Sequence, residues 1–371
     1  MFASELWTKR PQLRRSSAAG GFDDLLSLDD VDLIVSTRGL RLPTFRLVKE
    51  GATLPASRYT KTTRSGSQTA PGVIDSRAVF DEFADGATLV FQSMHRYWAP
   101  LAGYCRGLEL ALGHPVQANA YITPPAAQGF GAHEDEHDVF VLQSHGTKEW
   151  RVHDRHDLPP RRPPVIDAVL APGDSLYIPA GFPHSASTQQ DVSVHVTIGI
   201  LAVTWAAAVK EVLKTVESDP ALGEPLPLRF SAGDDVFVEE VRGRLGEIGT
   251  AVAGLDPVSL SRALRRKVLT TRQPLLRGQL HRLLDLESVG DRSVVMRRDG
   301  SICVVEVIGG GEISVLLGDR ELRLPDWVEP AMRLLASGEK IVVADLPGLD
   351  EAGRLVLVRR LIREGLLEVV G

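Results

Sequence analysis

The chain has 371 residues, of which 43% are hydrophobic and 24% charged, a composition typical of an ordinary globular protein with two or three domains. Its 42 basic and 48 acidic residues give a net charge of −6, which excludes a uniformly basic surface that coats nucleic acid. No apolar run of about 18 residues is present, and the first residues lack an apolar signal segment, so neither a membrane span nor a secretory signal is expected.

The two cysteines, Cys105 and Cys303, lie far apart in separate apolar segments. Such sparse cysteines indicate reduced thiols, so the sequence predicts a cytoplasmic protein.

The first 112 residues predict short helices and strands after a basic amphipathic arm. The stretch from Arg58 to Gly72 is rich in Thr, Ser and Gly and has no apolar period, which predicts a loop, either mobile or near a pocket. Helices are predicted at Asp23–Ser36, Asp75–Phe83 and His95–Leu112, and strands at Thr44–Lys49 and Ala87–Gln92.

Short strands separated by Gly and Pro dominate the next ninety residues. This pattern predicts a double-stranded β-helix, a jelly roll that can enclose one ligand. The second and third of these strands are predicted to form a hairpin. The strands are Val116–Thr123, Val139–Gln143, Lys148–His153, Val165–Leu170, Ser175–Ile178 and Asp191–Ile200.

A candidate metal site lies within this region. His133 and Asp135 stand two residues apart, so in an extended strand they point to the same face. His184 follows the turn-rich stretch GDSLYIPAGFPH and can supply a third ligand. Two imidazoles and one carboxylate form the facial triad of non-haem Fe(II) oxygenases. A structural zinc site would need four ligands, and no cysteine lies nearby.

Two further histidines compete with His184 for the third position. His137 shares the parity of His133 and Asp135, but it can join them only if the strand stays straight through an acidic, turn-prone segment. His195 lies on its own alternating strand and can instead form a wall of the pocket. Both rank below His184.

These motifs resemble those of the cupin superfamily, and His-x-Asp resembles the JmjC-type branch, although Thr188 stands where cupins often have Asn. More narrowly, the stretch from Asn119 to Trp150 resembles the bacterial and nucleolar ribosomal oxygenases, which are Fe(II)- and 2-oxoglutarate-dependent protein hydroxylases. The resemblance covers nearly the whole chain and is strongest between residues 115 and 200.

The resemblance implies specific roles for three more residues. Lys148 would bind the distal carboxylate of 2-oxoglutarate, Tyr121 would donate a hydrogen bond to it, and Asn119 would contact co-substrate or substrate. On its position alone, Lys148 would be an ordinary lysine at a hairpin edge. Phe130, Tyr177 and Phe182 are the aromatic residues expected near the barrel mouth, and they do not form the close set of an aromatic cage for methylated lysine.

The implied function is hydroxylation of a polypeptide side chain, with a ribosomal protein as substrate and His or Arg as target. A ribosomally made natural-product peptide is the rival substrate. Two other classes stay open: a metal-dependent cupin enzyme that acts on a small molecule, and a non-catalytic scaffold.

The remaining residues predict two further parts of a mixed α/β (α+β) protein. Three amphipathic helices, Trp205–Glu217, Asp234–Ala253 and Pro257–Thr271, resemble a dimerisation module, so a homodimer is expected. Strands and two helices after Ser288 resemble a winged helix. Its second helix carries four arginines, and nearby acidic residues offset their positive charge, so nucleic-acid binding is not expected. The arginines are Arg354, Arg359, Arg360 and Arg363. The predicted domains are 1–200 (oxygenase), 201–287 (helical dimerisation) and 288–371 (winged-helix-like).

Overall fold

A computed structural model describes residues 2–17, 21–127, 131–217, 220–226, 228, 230–232 and 235–370. The chain divides into two compact units, Met1–Ala202 and Val203–Gly371. The finer boundary near residue 287 stays a prediction. In the described ranges, no helix is both long enough and apolar enough to cross a bilayer.

The first unit is built mainly of strands. Its helices are α1 (Leu28–Thr37), α2 (Ser76–Ala84) and α3 (Ala99–Leu112). Its strands are β1 (Gln12–Arg14), β2 (Phe45–Lys49), β3 (Ala52–Thr53), β4 (Thr60–Ser65), β5 (Gln68–Ile74), β6 (Thr88–Phe91), β7 (Val116–Thr123), β8 (Asp138–His145), β9 (Lys148–Val152), β10 (Ile166–Leu170), β11 (Ser175–Ile178), β12 (His184–Thr188) and β13 (Ser193–Ile200).

Two sheets form the walls of a cavity. The larger has the order β1-β11-β8-β13-β7-β6-β2-β3, and the smaller has the order β10-β9-β12. Strand β7 shows how the sequence sets the two faces of the larger sheet. Ala118, Ala120 and Ile122 are buried in the main hydrophobic core, whereas Asn119 and Tyr121 face the cavity. The alternation of the sequence therefore separates core from cavity.

The predicted hairpin between β8 and β9 is wrong. Strand β8 pairs with β11 and β13, whereas β9 pairs with β10 and β12, so the chain passes from one sheet to the other at Gly146 and Thr147. A two-residue link resembles a hairpin turn in sequence, and only the pairing partners distinguish the two. The strand β12 was also missed, because its small polar residues carry little strand signal.

The predicted loop from Arg58 to Gly72 is wrong as well. It forms an antiparallel hairpin of β4 and β5, in which Ser65 pairs with Gln68 around Gly66 and Ser67. Gly66 has φ +61°, which suits a tight two-residue turn, and the Thr residues favour extended backbone. Helix α3 begins at Ala99 rather than at His95, because Pro100 is tolerated only in the first turn. Helix α2 is capped by Asp75, whose side chain accepts a hydrogen bond from the backbone N–H of Ala78.

A side chain at Gly146, where the chain crosses between the two sheets, should strongly destabilise the fold. Gly146 has φ +59°, and a Cβ there would lie 1.9 Å from the backbone oxygen of Val192. Replacement by alanine should therefore lower the free energy of unfolding by more than about 3 kcal/mol. Gly113 is a matched control, since its φ is +69° and a Cβ there meets no atom of the described residues within 4 Å. Gly113→Ala should cost only about 1 kcal/mol. Equal costs in urea denaturation would contradict the close approach at Gly146.

The second unit contains the helices and strands that the sequence predicts, with some additions. Its helices are α4 (Trp205–Glu217), α5 (Asp235–Ala253), α6 (Pro257–Leu269), α7 (Gln279–Leu284), α8 (Glu329–Ala336) and α9 (Glu351–Arg363). Its strands are β14 (Val294–Arg297), β15 (Cys303–Gly309), β16 (Glu312–Leu317), β17 (Glu321–Pro325), β18 (Ile341–Val342) and β19 (Leu367–Val369). The sheets have the orders β18-β14-β19 and β15-β16-β17.

Three arginines of α9 bind carboxylates. Arg354 pairs with Asp291, Arg359 with Glu287 at 3.0 Å, and Arg360 with Glu364 at 2.6 Å. These pairs leave less positive charge for phosphate groups. The winged-helix-like character of this part stays a prediction.

Candidate metal centre

The structure brings the three predicted metal ligands together. One ligand atom from each of His133, Asp135 and His184 lies within 4.8 Å of the others. Nε2 of His184 lies 3.8 Å from the Asp135 carboxylate, and Nε2 of His133 lies 4.0 Å from it. His184 is buried, whereas the other two side chains are partly exposed, so the cluster lies at the open end of the cavity.

Backbone pairing holds the two histidines side by side. The N–H of His133 donates to the carbonyl of His184 at 3.1 Å, and the N–H of His184 donates to the carbonyl of His133 at 2.8 Å. The N–H of Gly181 also donates to the carbonyl of Asp135 at 3.0 Å. These bonds join residues about fifty positions apart, which is why the sequence alone could not fix their distance.

The ring nitrogens of both histidines are arranged for a metal. Nδ1 of His133 lies 3.0 Å from the carbonyl of Gly131, and Nδ1 of His184 lies 3.0 Å from that of Phe182. A carbonyl can only accept, so both Nδ1 atoms carry the proton, and Nε2 keeps its lone pair for a ligand bond. Burial, followed by the nearby His133, lowers the pKa of His184 and keeps it neutral. The donor set therefore fits a divalent metal.

The cavity behind this cluster has a volume of about 220 Å³. Strand pairing fixes the depth of its lining residues. On β12, His184 lies opposite Val152, Ala186 opposite Trp150, and Thr188 opposite Lys148. At about 3.3 Å per residue, the Cα of Lys148 is roughly 13 Å deeper along the wall than that of His184. The cavity therefore runs from a metal cluster at its mouth to a lysine at its far end.

Lys148 is a buried cation without a carboxylate partner at hydrogen-bond distance among the described residues. Its side chain is only 4% exposed, and Nζ donates to the hydroxyl of Thr123 at 2.9 Å. Burial lowers the pKa of Lys148 to about 7. A buried ammonium with one neutral partner is costly unless an anion joins it. The far end of the cavity therefore fits an anionic group, and the interpretation of Lys148 as an exposed hairpin-edge residue is wrong.

Tyr121 and Asn119 add hydrogen-bond donors to the same cavity. Burial raises the pKa of the Tyr121 phenol, so its hydroxyl stays protonated and can donate. Oδ1 of Asn119 accepts from the N–H of Ser93 at 2.9 Å, which fixes the amide orientation and leaves its NH₂ group for the cavity. Asn119, Tyr121 and Lys148 all line the cavity, as predicted, and their roles toward a ligand stay a proposal.

The two competing histidines also line the cavity, outside the triad. His137 packs against Gly199, where a Cβ would lie 2.5 Å from its Nε2. His195 is 3% exposed and stacks on Tyr121 with ring centroids 4.9 Å apart. Burial, followed by the charge of Lys148, holds the pKa of His195 well below its usual value. His195 thus forms the pocket wall that the sequence allowed.

Several cavity residues were not predicted. Arg46 lies between the buried Phe45 and Leu47 on β2, and an arginine inside a short apolar strand was the available signal. Trp150, Thr88 and Thr197 line the cavity without any distinctive sequence motif.

The aromatic residues expected near the mouth do not line the cavity where they are described. Tyr177 is buried, and its hydroxyl donates a hydrogen bond to the carboxylate of Asp138. The ring of Phe182 packs against Arg155, whose Cζ lies 5.0 Å from the ring centroid, and neither aromatic residue lines the cavity. Phe130 lies outside the described residues.

Comparison with known proteins shows which proteins this chain is similar to. Residues 105–208 match the family model described as the JmjC domain. The bifunctional lysine-specific demethylase and histidyl-hydroxylase NO66 of Drosophila persimilis is 28% identical over 248 residues, 64% of this chain and 35% of that protein. Ribosomal oxygenase 1 of Gallus gallus is 28% identical over 212 residues, 53% of this chain and 34% of that protein.

Residues 105–208 thus match a JmjC domain, and the chain is similar in sequence to ribosomal oxygenases. Its alignment spans about a third of the length of those two relatives. The crystal structure of Escherichia coli ribosomal oxygenase YcfD superposes with a TM-score of 0.59 and 19% identity, covering 100% of this chain and 97% of that one. A YcfD structure in complex with cobalt and 2-oxoglutarate has a TM-score of 0.58, 19% identity and the same coverage. The predicted mixed α/β fold with a JmjC/cupin jelly roll is thus confirmed.

Proposed function

We propose that this chain is an Fe(II)- and 2-oxoglutarate-dependent oxygenase that hydroxylates a His or Arg side chain of a ribosomal protein. The observation that carries the proposal is one cavity with a His-Asp-His cluster at its mouth and a buried lysine at its far end. The names of the relatives and of the YcfD complex support the same chemistry.

Each end of the cavity has its own task in this reaction. His133, Asp135 and His184 would hold the iron, at which O2 would supply the oxidising power and the oxygen atom for a C–H bond. Oxidative decarboxylation of 2-oxoglutarate to succinate and CO2 would supply two of the four electrons that O2 takes up, and the C–H bond the other two. Lys148 and Tyr121 would bind the distal carboxylate of the co-substrate through charge-assisted hydrogen bonds. The NH₂ group of Asn119 would position co-substrate or substrate near the metal. The buried walls exclude water, and their main contribution is positioning.

The charge around the mouth supports a basic polypeptide as substrate. Glu134 and Glu136 alternate with the metal ligands along the chain and point outward, where both are exposed. Glu50 is also exposed. Its neighbour Gly51 lies near Gly131, because a Cβ added at Gly51 would lie 3.8 Å from the backbone nitrogen of Gly131. A rim of carboxylates attracts positively charged segments, which ribosomal proteins carry.

Lysine demethylation is the second candidate, because the NO66 relatives carry that activity in their names. Methylated ammonium groups are usually held by an aromatic cage or a carboxylate. Among the described residues that line the outer cavity are Asn119, Val139 and Thr197, and the aromatic Tyr121 and Trp150 lie deeper. This lining favours hydroxylation.

The proposal can be tested with purified, iron-loaded protein and a mixture of ribosomal proteins. Succinate release together with a mass gain of one oxygen on one polypeptide supports it. Succinate release that depends on a natural-product peptide points to that substrate, and oxidation of a small molecule without succinate points to a cupin enzyme. A chain that retains no iron favours a scaffold. Loss of methyl groups with no oxygen gained would establish demethylation instead.

We also propose that the chain forms a homodimer through the helices α4 to α6. Apolar side chains on α5 recur every three, four or seven residues and are exposed: Val238, Val241, Leu245 and Val252. On α4, Trp205, Val209 and Leu213 are exposed at four-residue intervals, and Trp205 is 88% exposed. Apolar stripes of this kind mark protein interfaces.

The cytoplasmic location stays a prediction that the two free thiols, Cys105 and Cys303, support.

The double change Val241→Asp and Leu245→Asp should convert the dimer to monomers. Burying two carboxylates in an apolar interface costs several kcal/mol, so the dissociation constant should rise at least about 100-fold. Thr250→Asp is the control, since Thr250 is exposed and lies on roughly the opposite side of α5. Light scattering at micromolar concentration provides the measurement. A wild-type monomer under these conditions would rule out the dimer.

A further inference from the structure

We propose that His195, Trp150 and Ala186 form a collar that restricts the co-substrate site to an unbranched carbon chain, and that His195 determines its width. This inference rests on the proposed function, because it concerns the 2-oxo acid held between the metal cluster and Lys148. It assigns a specificity-determining role to residues between those two ends.

Strand pairing places Trp150 and Ala186 at one depth in the smaller sheet, and ring contact puts His195 of the larger sheet at the same level. Tyr121 on β7 lies opposite His195 on β13, and Trp150 on β9 lies opposite Ala186 on β12. Trp150 follows Lys148 by two residues, and Ala186 follows His184 by two. The collar therefore lies about 6 to 7 Å from each end level along the wall. A dicarboxylate that reaches from the metal to Lys148 must pass its carbon chain through this level.

Ring packing makes the collar rigid on one side. His195 stacks flat on Tyr121, with an interplanar angle of 3°. Trp150 meets His195 edge to face at 85°, with centroids 5.3 Å apart. His195 and Trp150 are nearly completely buried, at 3% and 4% exposure, although both line the cavity. Packed rings cannot move aside at low cost, so the space they leave is fixed.

Two polar atoms of the collar are unpaired. Nδ1 of His195 and Nε1 of Trp150 are buried and have no hydrogen-bond partner among the residues that the structure describes. Buried polar groups are normally paired, so these two atoms are exceptions within the cavity wall. Beside Trp150, the lining at this level is the small methyl side chain of Ala186.

The test compares two co-substrates on the full chain loaded with Mn(II), which binds without turnover. Calorimetry measures the dissociation constants of 2-oxoglutarate and of 4-methyl-2-oxoglutarate, which carries one extra methyl group on its chain. The wild-type chain should bind the methylated acid at least about tenfold more weakly, because an added methyl in a filled slot costs that much or more. His195→Ala should open the collar, so the ratio of the dissociation constants of the methylated acid and 2-oxoglutarate should fall to about threefold or less.

A second variant closes the collar from the other side. Ala186→Leu should weaken binding of 2-oxoglutarate itself by at least about tenfold. This variant keeps the test decisive if His195→Ala fails to fold, which circular dichroism would reveal. Val141→Ala is the matched control, because Val141 lines the cavity opposite Thr197, one level nearer the metal. It should leave the wild-type ratio unchanged.

The outcomes separate the collar from the proposed function. A folded His195→Ala that binds 2-oxoglutarate but keeps the wild-type ratio would overturn the collar, and so would Ala186→Leu with unchanged affinity. A wild-type chain that binds neither acid would instead contradict the proposed function. A ratio that changes equally in Val141→Ala would show that general loosening, and not His195, admits the methyl group.

Discussion

His184→Ala should abolish metal retention and co-substrate turnover together. His184 is the most buried of the three candidate ligands, and backbone bonds at 2.8 and 3.1 Å fix it beside His133. Removing supporting groups around a metal already costs about 10- to 100-fold in affinity, so loss of a ligand should cost more than about 100-fold. Equilibrium dialysis with Fe(II) under anaerobic conditions measures the affinity, and succinate release measures turnover.

Two histidines of the same cavity serve as controls for this change. His137→Ala and His195→Ala should retain iron, because neither belongs to the cluster of ligand atoms within 4.8 Å. Both side chains line the cavity, so the three variants disturb similar surroundings. If His184→Ala binds iron like the wild-type chain and His195→Ala does not, the ligand assignment is wrong.

Lys148→Ala should leave the metal bound and raise the Michaelis constant for 2-oxoglutarate at least about tenfold. A charge-assisted contact to a carboxylate contributes about 1.5–3 kcal/mol, which corresponds to that loss. Steady-state kinetics on iron-loaded protein provide the measurement. An unchanged constant would remove Lys148 from the co-substrate site.

The low pKa of Lys148 adds a pH dependence that identifies it. Burial sets this pKa near 7, and the charged form binds the carboxylate, so affinity should fall as the pH rises from 7 to 9. Binding above pH 7 should also take up a proton, which calorimetry in buffers of different ionisation enthalpy detects. Lys148→Arg is the control, because an arginine stays charged across this range and should show no proton uptake.

The residues that carry the chemistry of the site could be predicted from the sequence, whereas the strand pairing that brings them together could not. The spacing of His133 and Asp135 predicted that both would reach one site, because side-chain parity in extended backbone is local. Both do contribute a ligand atom to the cluster, although His133 forms only an isolated β-bridge and the predicted strand is absent there. The approach of His184 depends on backbone pairing across fifty residues, which only a resemblance between whole motifs could anticipate. The depth of Lys148 follows from the pairing of β9 with β10 and β12, and the predicted hairpin with β8 pointed the other way.

Elements with strong periodicity were predicted well, and those defined by partners were not. The long amphipathic helix α5 was placed to within one residue, since its apolar spacing is a property of its own sequence. The hairpin of β4 and β5 was interpreted as a loop, because its polar residues show no apolar period and its Thr content was given too little weight. Arg46 was missed because its strand, five residues long, shows no motif.

The most direct test of the account is the intact mass of each ribosomal protein from wild-type cells and from cells that lack this chain. We predict that one ribosomal protein is heavier by one oxygen in wild-type cells, that the gain maps to a His or Arg residue, and that a His184→Ala chain fails to restore it. Identical masses for every ribosomal protein, or a difference confined to methyl groups on lysine, would contradict the proposed function.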